Sequence, residues 1–284
     1  MLDFIQLDHY SVGGTLITIV VALSIFIQGK VKKKLGKETL QEFHEVGSVY
    51  MSAVGTLYAV LLGLVVVDAS SRFNQARDST LNEANYLMEV FALAERAPEP
   101  QRQSIKEGLR TYVDFVLTEG WDSMNKGEKN PTELNLFRNI MNEVRSVEPV
   151  TENQKTVYSA LLDAFIKASE SRRSRLNFDQ YNIPTVEWFS LIMGGIITIA
   201  FTMFFAIEHR FAQALMTGMV TFILSLNLFI AYLYNTPYTG DLSVKKDPFL
   251  SLQKFTHEPL AVTPSKLRRC LLYTSDAADD TPCV

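Results

Sequence analysis

The stretch GTLYAVLLGLVVVDASSRFNQA, residues 55–76, passes from membrane-grade apolar residues to Asp68 and Arg72 without a proline, a turn signal or a capping box. Helices that end at a boundary normally announce it with such signals. Beyond it, Phe73, Ala76, Thr80, Leu87, Val90 and Ala94 continue a heptad-like apolar stripe until Pro98 and Pro100 stop it. The spacing therefore predicts one unbroken helix over residues 46–95, about 50 residues and ~75 Å long at 1.5 Å per residue. Such a helix is a rod that couples a membrane span to a water-facing domain.

Composition agrees with that mixed character. Of 284 residues, 47% are hydrophobic and 20% charged, and the mean hydropathy is +0.07. That is too apolar for most soluble domains and too charged for a chain wholly inside lipid. The net charge of −4 provides no basic footprint for nucleic acid, so no nucleic-acid partner is expected. Both cysteines, Cys270 and Cys283, fall in the tail CLLYTSDAADDTPCV. Its opening reads as a translated transposon-end adapter from a sequencing library, so residues 270–284 are set aside as artefact. Without them there is no thiol for a disulfide, a metal site or a nucleophile.

Four stretches approach the roughly 20 apolar residues that a bilayer core demands of a helix. They cover residues 11–27, 46–67, 186–207 and 211–234. The first is read as a retained span rather than a signal peptide, because Met1 to Tyr10 carries no Lys or Arg and no small-residue cleavage site follows. The expected fold class is an all-α membrane protein: four transmembrane helices as two hairpins flanking an inserted helical domain. The divisions are 1–67 for the first hairpin, 68–185 for the water-facing domain, 186–234 for the second hairpin and 235–269 for a C-terminal tail. Within the domain, apolar faces predict helices over residues 104–118, ended by Gly120, and over 133–147. A Thr151/Gln154 capping box opens a further helix to about residue 176. No run alternates with period two, so no sheet is expected.

No catalytic constellation is present: G-x-x-x-x-G-K-[ST], G-x-S-x-G and H-E-x-x-H are all missing, and the chain is not read as an enzyme. His9, His44, His209 and His257 sit in separate segments near span boundaries, as interfacial polar residues or, less commonly, a metal or proton site. Neither a metal nor another cofactor is expected.

The second span carries the informative pattern. Gly47, Gly55, Ala59 and Gly63 recur at multiples of four, a small-residue strip that lets helix backbones approach in lipid. Ser48, Ser52 and Thr56 form a neighbouring hydroxyl strip. Those hydroxyls either bond back to carbonyls one turn earlier or wall a water path between copies of the helix. Farther along, Glu83 falls in the apolar seam and needs a cation. Arg172, Arg173 and Arg175, in SRRSR ahead of the third span, are the nearest supply, for a structural ion pair or a gating role. Asp68, Arg72 and Arg77 are charges at the mouth where the rod leaves the membrane.

RFNQARDSTLNEANYLMEVFALAER (residues 72–96), SRRSRLNFDQYNIPTVEW (171–188) and YNTPYTGDLSVKKDPF (234–249) together resemble the bestrophin-like family of bacterial membrane proteins. The corresponding elements are Arg72, Glu83, Ala84 and Asn85, then Arg173, Arg175, Pro184 and Trp188, then Pro237, Tyr238, Gly240 and Pro248. The resemblance implies a distant kinship with bestrophins, oligomeric anion channels whose second membrane helix lines the pore. It implies a homo-oligomer, a pentamer by analogy, in the bacterial cell membrane, with membrane lipid and inorganic ions as partners. The chain departs from true bestrophins in lacking an acidic calcium clasp and a phenylalanine-rich pore neck, so calcium gating is not carried over.

Orientation pits two indications against each other. Lys30, Lys32, Lys33, Lys34 and Lys37 follow the first span, which places that link in the cytoplasm and the helical domain outside. Bestrophin kinship would place the domain inside, and the reading follows the lysines. The expected function is an ion channel, anion-preferring by analogy, with its pore lined by the second span. The alternative is a non-conducting scaffold or signalling module whose helical domain binds a partner.

Overall fold

A computed structural model describes residues 8–35, 37–126, 128, 130–178, 182–204 and 209–258, leaving the side chains of residues 35, 37–46, 48 and 178 undescribed. Residues 270–284, read as artefact, lie outside the described residues. The elements in chain order are α1 (Tyr10–Leu35), α2 (Lys37–Ala94), α3 (Gln101–Phe115), a π-helical turn (Val116–Gly120), α4 (Trp121–Asn125), α5 (Pro131–Arg145), α6 (Glu152–Phe178), α7 (Thr185–Met203), α8 (Arg210–Asn235) and α9 (Asp247–His257). Among the described residues there is no strand. Four helices, α1, α2, α7 and α8, are long and apolar enough to cross a membrane.

The second span runs unbroken through 58 residues, about 87 Å at 1.5 Å per residue. It ends where Arg96 and Ala97 turn their N–H groups back to the Leu93 and Ala94 carbonyls, at 3.0 Å each, just ahead of Pro98. Outside the membrane, its buried stripe of Ala76, Ala84, Leu87, Val90 and Ala94 joins Ile105, Leu109 and Tyr112 of α3, Phe137 and Ile140 of α5, and Leu161 and Phe165 of α6 in one core. The rod is thus a core element of the domain as well as a span.

The membrane helices pack by proximity of small residues. Gly194 of α7 lies under the Tyr58 ring: a Cβ there would sit 2.4 Å from Cδ2. Tyr58 meanwhile donates its hydroxyl to the Leu191 carbonyl at 2.8 Å. Gly13 of α1 similarly faces the Phe229 ring of α8, where a Cβ would come within 2.0 Å of Cζ. The main neighbour of α1 is α8, and α2 packs on α8 and α7, so the helices adjacent in sequence are not those most closely packed. Between α1 and α8 runs a buried polar seam that the sequence reading did not single out. It comprises Ser24 and Gln28 facing Gln213, Thr217 and Thr221, joined by Thr221 to Ser24 at 3.1 Å and by Lys32 to Gln213 at 2.8 Å.

One reading of the domain is corrected. Gly120 does not end the third helix: a π-turn carries it into α4, whose Trp121 and Met124 are buried. Gly120 is itself buried, and a Cβ there would stand 3.3 Å from both Glu133 Oε2 and the Phe115 carbonyl. It serves close approach, which is a different use of glycine from termination. The tail after α8 also contains α9, opened by Pro248 in the first turn and burying Phe249, Leu252 and Thr256 against α2 and α3. The Thr151/Gln154 box is formed in both directions, Gln154 N–H to Thr151 Oγ1 at 3.2 Å and Thr151 N–H to Gln154 Oε1 at 3.1 Å.

Candidate functional site

Two faces of α2 matter, one in the membrane and one in the domain. In the membrane half, Tyr58, Leu62, Val65 and Ala69 turn toward α7 and α8 and are buried. Ser52, Thr56, Ala59 and Gly63 are exposed, and their four-three-four spacing places them on one helical face. Gly55 is half-buried beside them. A Cβ added at Gly47, Gly55 or Gly63 would meet nothing within 4 Å, so among the described residues no element of the same subunit uses this strip for close packing. Thr56 donates its hydroxyl to the Ser52 carbonyl at 2.7 Å, the back-bond expected of a hydroxyl inside a helix. The Ser48 side chain lies outside the described residues.

At the membrane exit, the charges are partly spent on each other. Arg72 Nε reaches Asp68 Oδ2 at 2.8 Å, one turn back, and Arg77 lies 3.9 Å from Asp78. Both pairs are exposed to a third or more, where such contacts contribute little to stability. They leave two guanidinium groups beyond the apolar stretch of α2, each with a neighbouring carboxylate.

In the domain half, Glu83 is fully buried, and so is Arg175 of α6. Arg175 Nε donates to Glu83 Oε2 at 2.7 Å, and its Nη2 donates to Glu133 Oε1 of α5 at 2.8 Å. Tyr112 of α3 donates its hydroxyl to Glu83 Oε1 at 2.6 Å. Arg172 stands 3.3 Å from Glu133 Oε1 and stacks on Phe137, its guanidinium carbon 5.1 Å from the ring centre. Arg173 faces outward. Two carboxylates thus meet two guanidiniums, which leaves the cluster with no net charge. Burial works against the Arg175 cation, yet Glu83 and Glu133 hold it well above its ordinary value. Burial, with the two carboxylates beside it, pushes the Tyr112 hydroxyl well up, so it acts as a neutral donor.

Sequence alone pointed to Glu83 and the arginines but not to Tyr112 or Glu133. Glu133 occupies the first turn of α5, where an acid reads as a helix-dipole partner in solvent. Only the fold turns it inward. The segment after α8 closes the cluster from behind. Tyr238 donates toward the Arg175 and Ala76 carbonyls, at 3.3 and 3.4 Å, and the Phe249 ring lies 5.5 Å below the Arg175 guanidinium. Elements from both sides of the membrane pair therefore converge on one salt bridge.

The histidines stay apart. His9 pairs with Asp241 at 3.0 Å, His257 approaches Asp114 at 3.3 Å, His209 is exposed at the start of α8, and the His44 side chain is outside the described set. Among the described residues no cluster of three or more His, Cys, Asp or Glu could hold a metal ion.

A family model described as the bestrophin-like domain matches residues 18–249. Among solved structures, the chain is similar to a mutant of a bacterial bestrophin homologue from Klebsiella pneumoniae, with a TM-score of 0.66 at 11% identity over 84% of this chain and 97% of that one. The same homologue, phased on zinc, aligns with a TM-score of 0.65 at 11% identity and the same coverage of both chains. A solved membrane-protein variant aligns with a TM-score of 0.66 at 10% identity over 86% of this chain and 99% of that one. At such identities these likenesses speak for the fold. No curated protein matches the chain.

Proposed function

Because the chain belongs to the bestrophin-like family of membrane proteins, we propose that it is a homo-oligomeric ion channel whose pore is lined by α2. The observation that carries this reading is the uncovered strip on α2. Gly55 and Gly63 have open space where a Cβ would stand, and Ser52, Thr56 and Ala59 lie exposed on the same side. In lipid, small residues are useful where a second backbone comes close, since apolar helices gain nothing hydrophobic by meeting there. A ring of copies, five by analogy, gives that strip its partners and turns Ser48, Ser52 and Thr56 toward a shared axis. The rods then extend the path beyond the membrane.

Selectivity follows from where charge stands. The exposed part of the second span carries no ring of charge before Asp68, so discrimination is modest and is set at the mouth. Arg72 and Arg77 there favour anions, weakened by Asp68 and Asp78. The lysines that follow the first apolar stretch, Lys30, Lys32, Lys33 and Lys34 in the last turns of α1 and Lys37 beyond it, against none in Met1 to Tyr10, support a cytoplasmic link and a helical domain on the other side of the cell membrane. The Thr56 back-bond favours a second reading, a non-conducting scaffold, since a hydroxyl satisfied within its own helix is not required to face water.

The test is current through reconstituted bilayers for the parent and for Thr56→Leu, together with the mass of the purified particle. A multimeric particle whose current changes in the variant supports the channel. A monomer, or currents equal to those of empty membranes at every voltage and salt tried, leaves the scaffold reading in its place.

A further inference from the structure

On the domain's flank, between the N-terminus of α5 and the last turns of α6, a cleft of about 460 Å³ is walled by Glu133, Leu134, Phe137, Arg172, Arg173 and Leu176. Its size falls within the roughly 300–1,000 Å³ that small-molecule clefts span. Its chemistry is two-sided. Leu134 is 45% exposed and, with Leu176 and Phe137, gives the cleft an apolar floor. Arg172 and Arg173 supply two guanidinium groups.

The charges at this place do not cancel. Glu83, Glu133, Arg175 and Arg172 neutralise one another in the buried cluster, and Arg173 is then left over. No ion pair engages Arg173 among the described residues, and Glu170, one turn earlier on α6, is not part of the cleft wall. Arg172 is 8% exposed, and its Nε–H lacks a hydrogen-bond partner: Glu133 Oε1, at 3.3 Å, is near but not in line. A buried guanidinium donor without a partner is costly and is normally satisfied by something. The start of α5, capped by Asn130 accepting from Thr132 N–H at 3.0 Å, adds the positive end of a helix to the rim.

We propose that this cleft binds a compact organic carboxylate with a ring-sized apolar body. The carboxylate lies between Arg172 and Arg173, where the planar guanidinium matches it in a charge-assisted contact. The apolar body covers Leu134 and Leu176. Arg172 keeps its place beside Glu133, so the occupied cleft stays joined to the cluster that anchors the rod. The proposal goes beyond the channel reading and stands without it, because binding is read with no current.

The probe is 2-naphthoate, measured by equilibrium dialysis against the full chain in nanodiscs of zwitterionic lipid, with empty nanodiscs subtracted. One saturable site per chain is expected, weakened about tenfold or more by Arg173→Gln and by Leu134→Asp. Both residues are exposed on the domain surface, so each variant keeps the parent's thermal midpoint. The neutral isostere 2-naphthamide binds at least tenfold more weakly than the acid. Equal binding of acid and amide, equal binding by parent and Arg173→Gln, or uptake no greater than that of empty nanodiscs overturns the proposal.

Discussion

Arg175 donates its Nε–H to Glu83 Oε2 at 2.7 Å, joining two fully buried side chains that stand 92 residues apart in the chain. The pair ties the last helix before the third span to the rod that leaves the second. Breaking such a buried pair by removing one partner leaves a charge without compensation, at a cost of about 3–5 kcal/mol. Glu83→Ala and Arg175→Ala are each expected to lower domain stability by about that much in chemical or thermal unfolding. Glu83→Gln with Arg175→Met removes both charges and should lose less than the sum of the two single changes. A Glu83→Lys protein as stable as the parent would refute this role for the pair.

The strip on α2 gives a prediction that separates folding from assembly. Gly63→Leu adds a side chain into open space within the subunit, so the isolated subunit keeps its helix content and thermal midpoint. In an assembly built on that strip the leucine collides with a neighbouring backbone. Native mass spectrometry of the variant should show loss of the multimer. If the particle mass is unchanged, the strip faces lipid and the pore must be sought elsewhere.

By contrast, Gly194→Val places its Cβ against the Tyr58 ring inside one subunit. Overpacking of this kind costs about 1–3 kcal/mol, and the lost stability should appear even in dissociated protein. An unaltered midpoint for Gly194→Val would show that α7 and α2 do not pack as described.

Much of this was legible in the sequence for a physical reason: continuity of α2 is a local property. The absence of Pro and Gly over residues 64–97 and the persistence of a stripe decide it, and neither depends on the rest of the fold. The capping box at Thr151 is local as well. Where residues act through distant partners, the sequence was silent. An acid in the first turn of a helix, as Glu133 is, carries no local mark of burial, Gly120 has the local character of a stop, and an 11-residue segment rich in polar residues such as α9 has little to announce it. Ser24, Gln28, Gln213, Thr217 and Thr221 are scattered polar residues in otherwise apolar spans, and only the antiparallel contact of α1 with α8 brings them together.

The mouth arginines are testable through selectivity. Arg77 has a side chain 64% exposed and a distant partner in Asp78, so in the proposed channel its field would reach ions entering the path. Arg77→Glu is expected to shift the reversal potential under a salt gradient toward cations without changing particle mass. The shift should shrink in high salt, as screening shortens the reach of surface charge. A reversal potential identical to the parent's at low salt would remove Arg77 from the conduction path.

Asp241 clasps the start of α1, accepting from Tyr10 N–H at 2.7 Å and facing His9 Nδ1 at 3.0 Å. The Tyr10 amide and the His9 ring hold Asp241 below its ordinary 3.8, and the Asp241 carboxylate raises His9 above its ordinary 6.5. Asp8 adds a further small upward pull on His9, and Lys245 a downward one on Asp241. The His9 contribution is complete below 6.5 and is lost as pH rises through the raised value. The Asp241 contribution is complete above 3.8 and is lost as pH falls through the lowered value. The clasp is therefore tightest between those limits and loosens toward alkaline pH. An NMR titration of the His9 ring should show its midpoint falling back toward 6.5 in Asp241→Asn, and an unmoved midpoint would contradict the pairing.

An unbroken α2 has a mechanical meaning. With no proline, bulge or loop between its ends, bending is stiff and the easy motion is rotation of the whole shaft, as in a lever. A tilt of about 5° around the middle of an ~87 Å shaft carries each end sideways by roughly 4 Å. A displacement at the far tip of the domain is therefore carried to the membrane half with no hinge between, and the middle of the shaft falls near Val65 and Ala69, which pack beside Ile183 and Leu191.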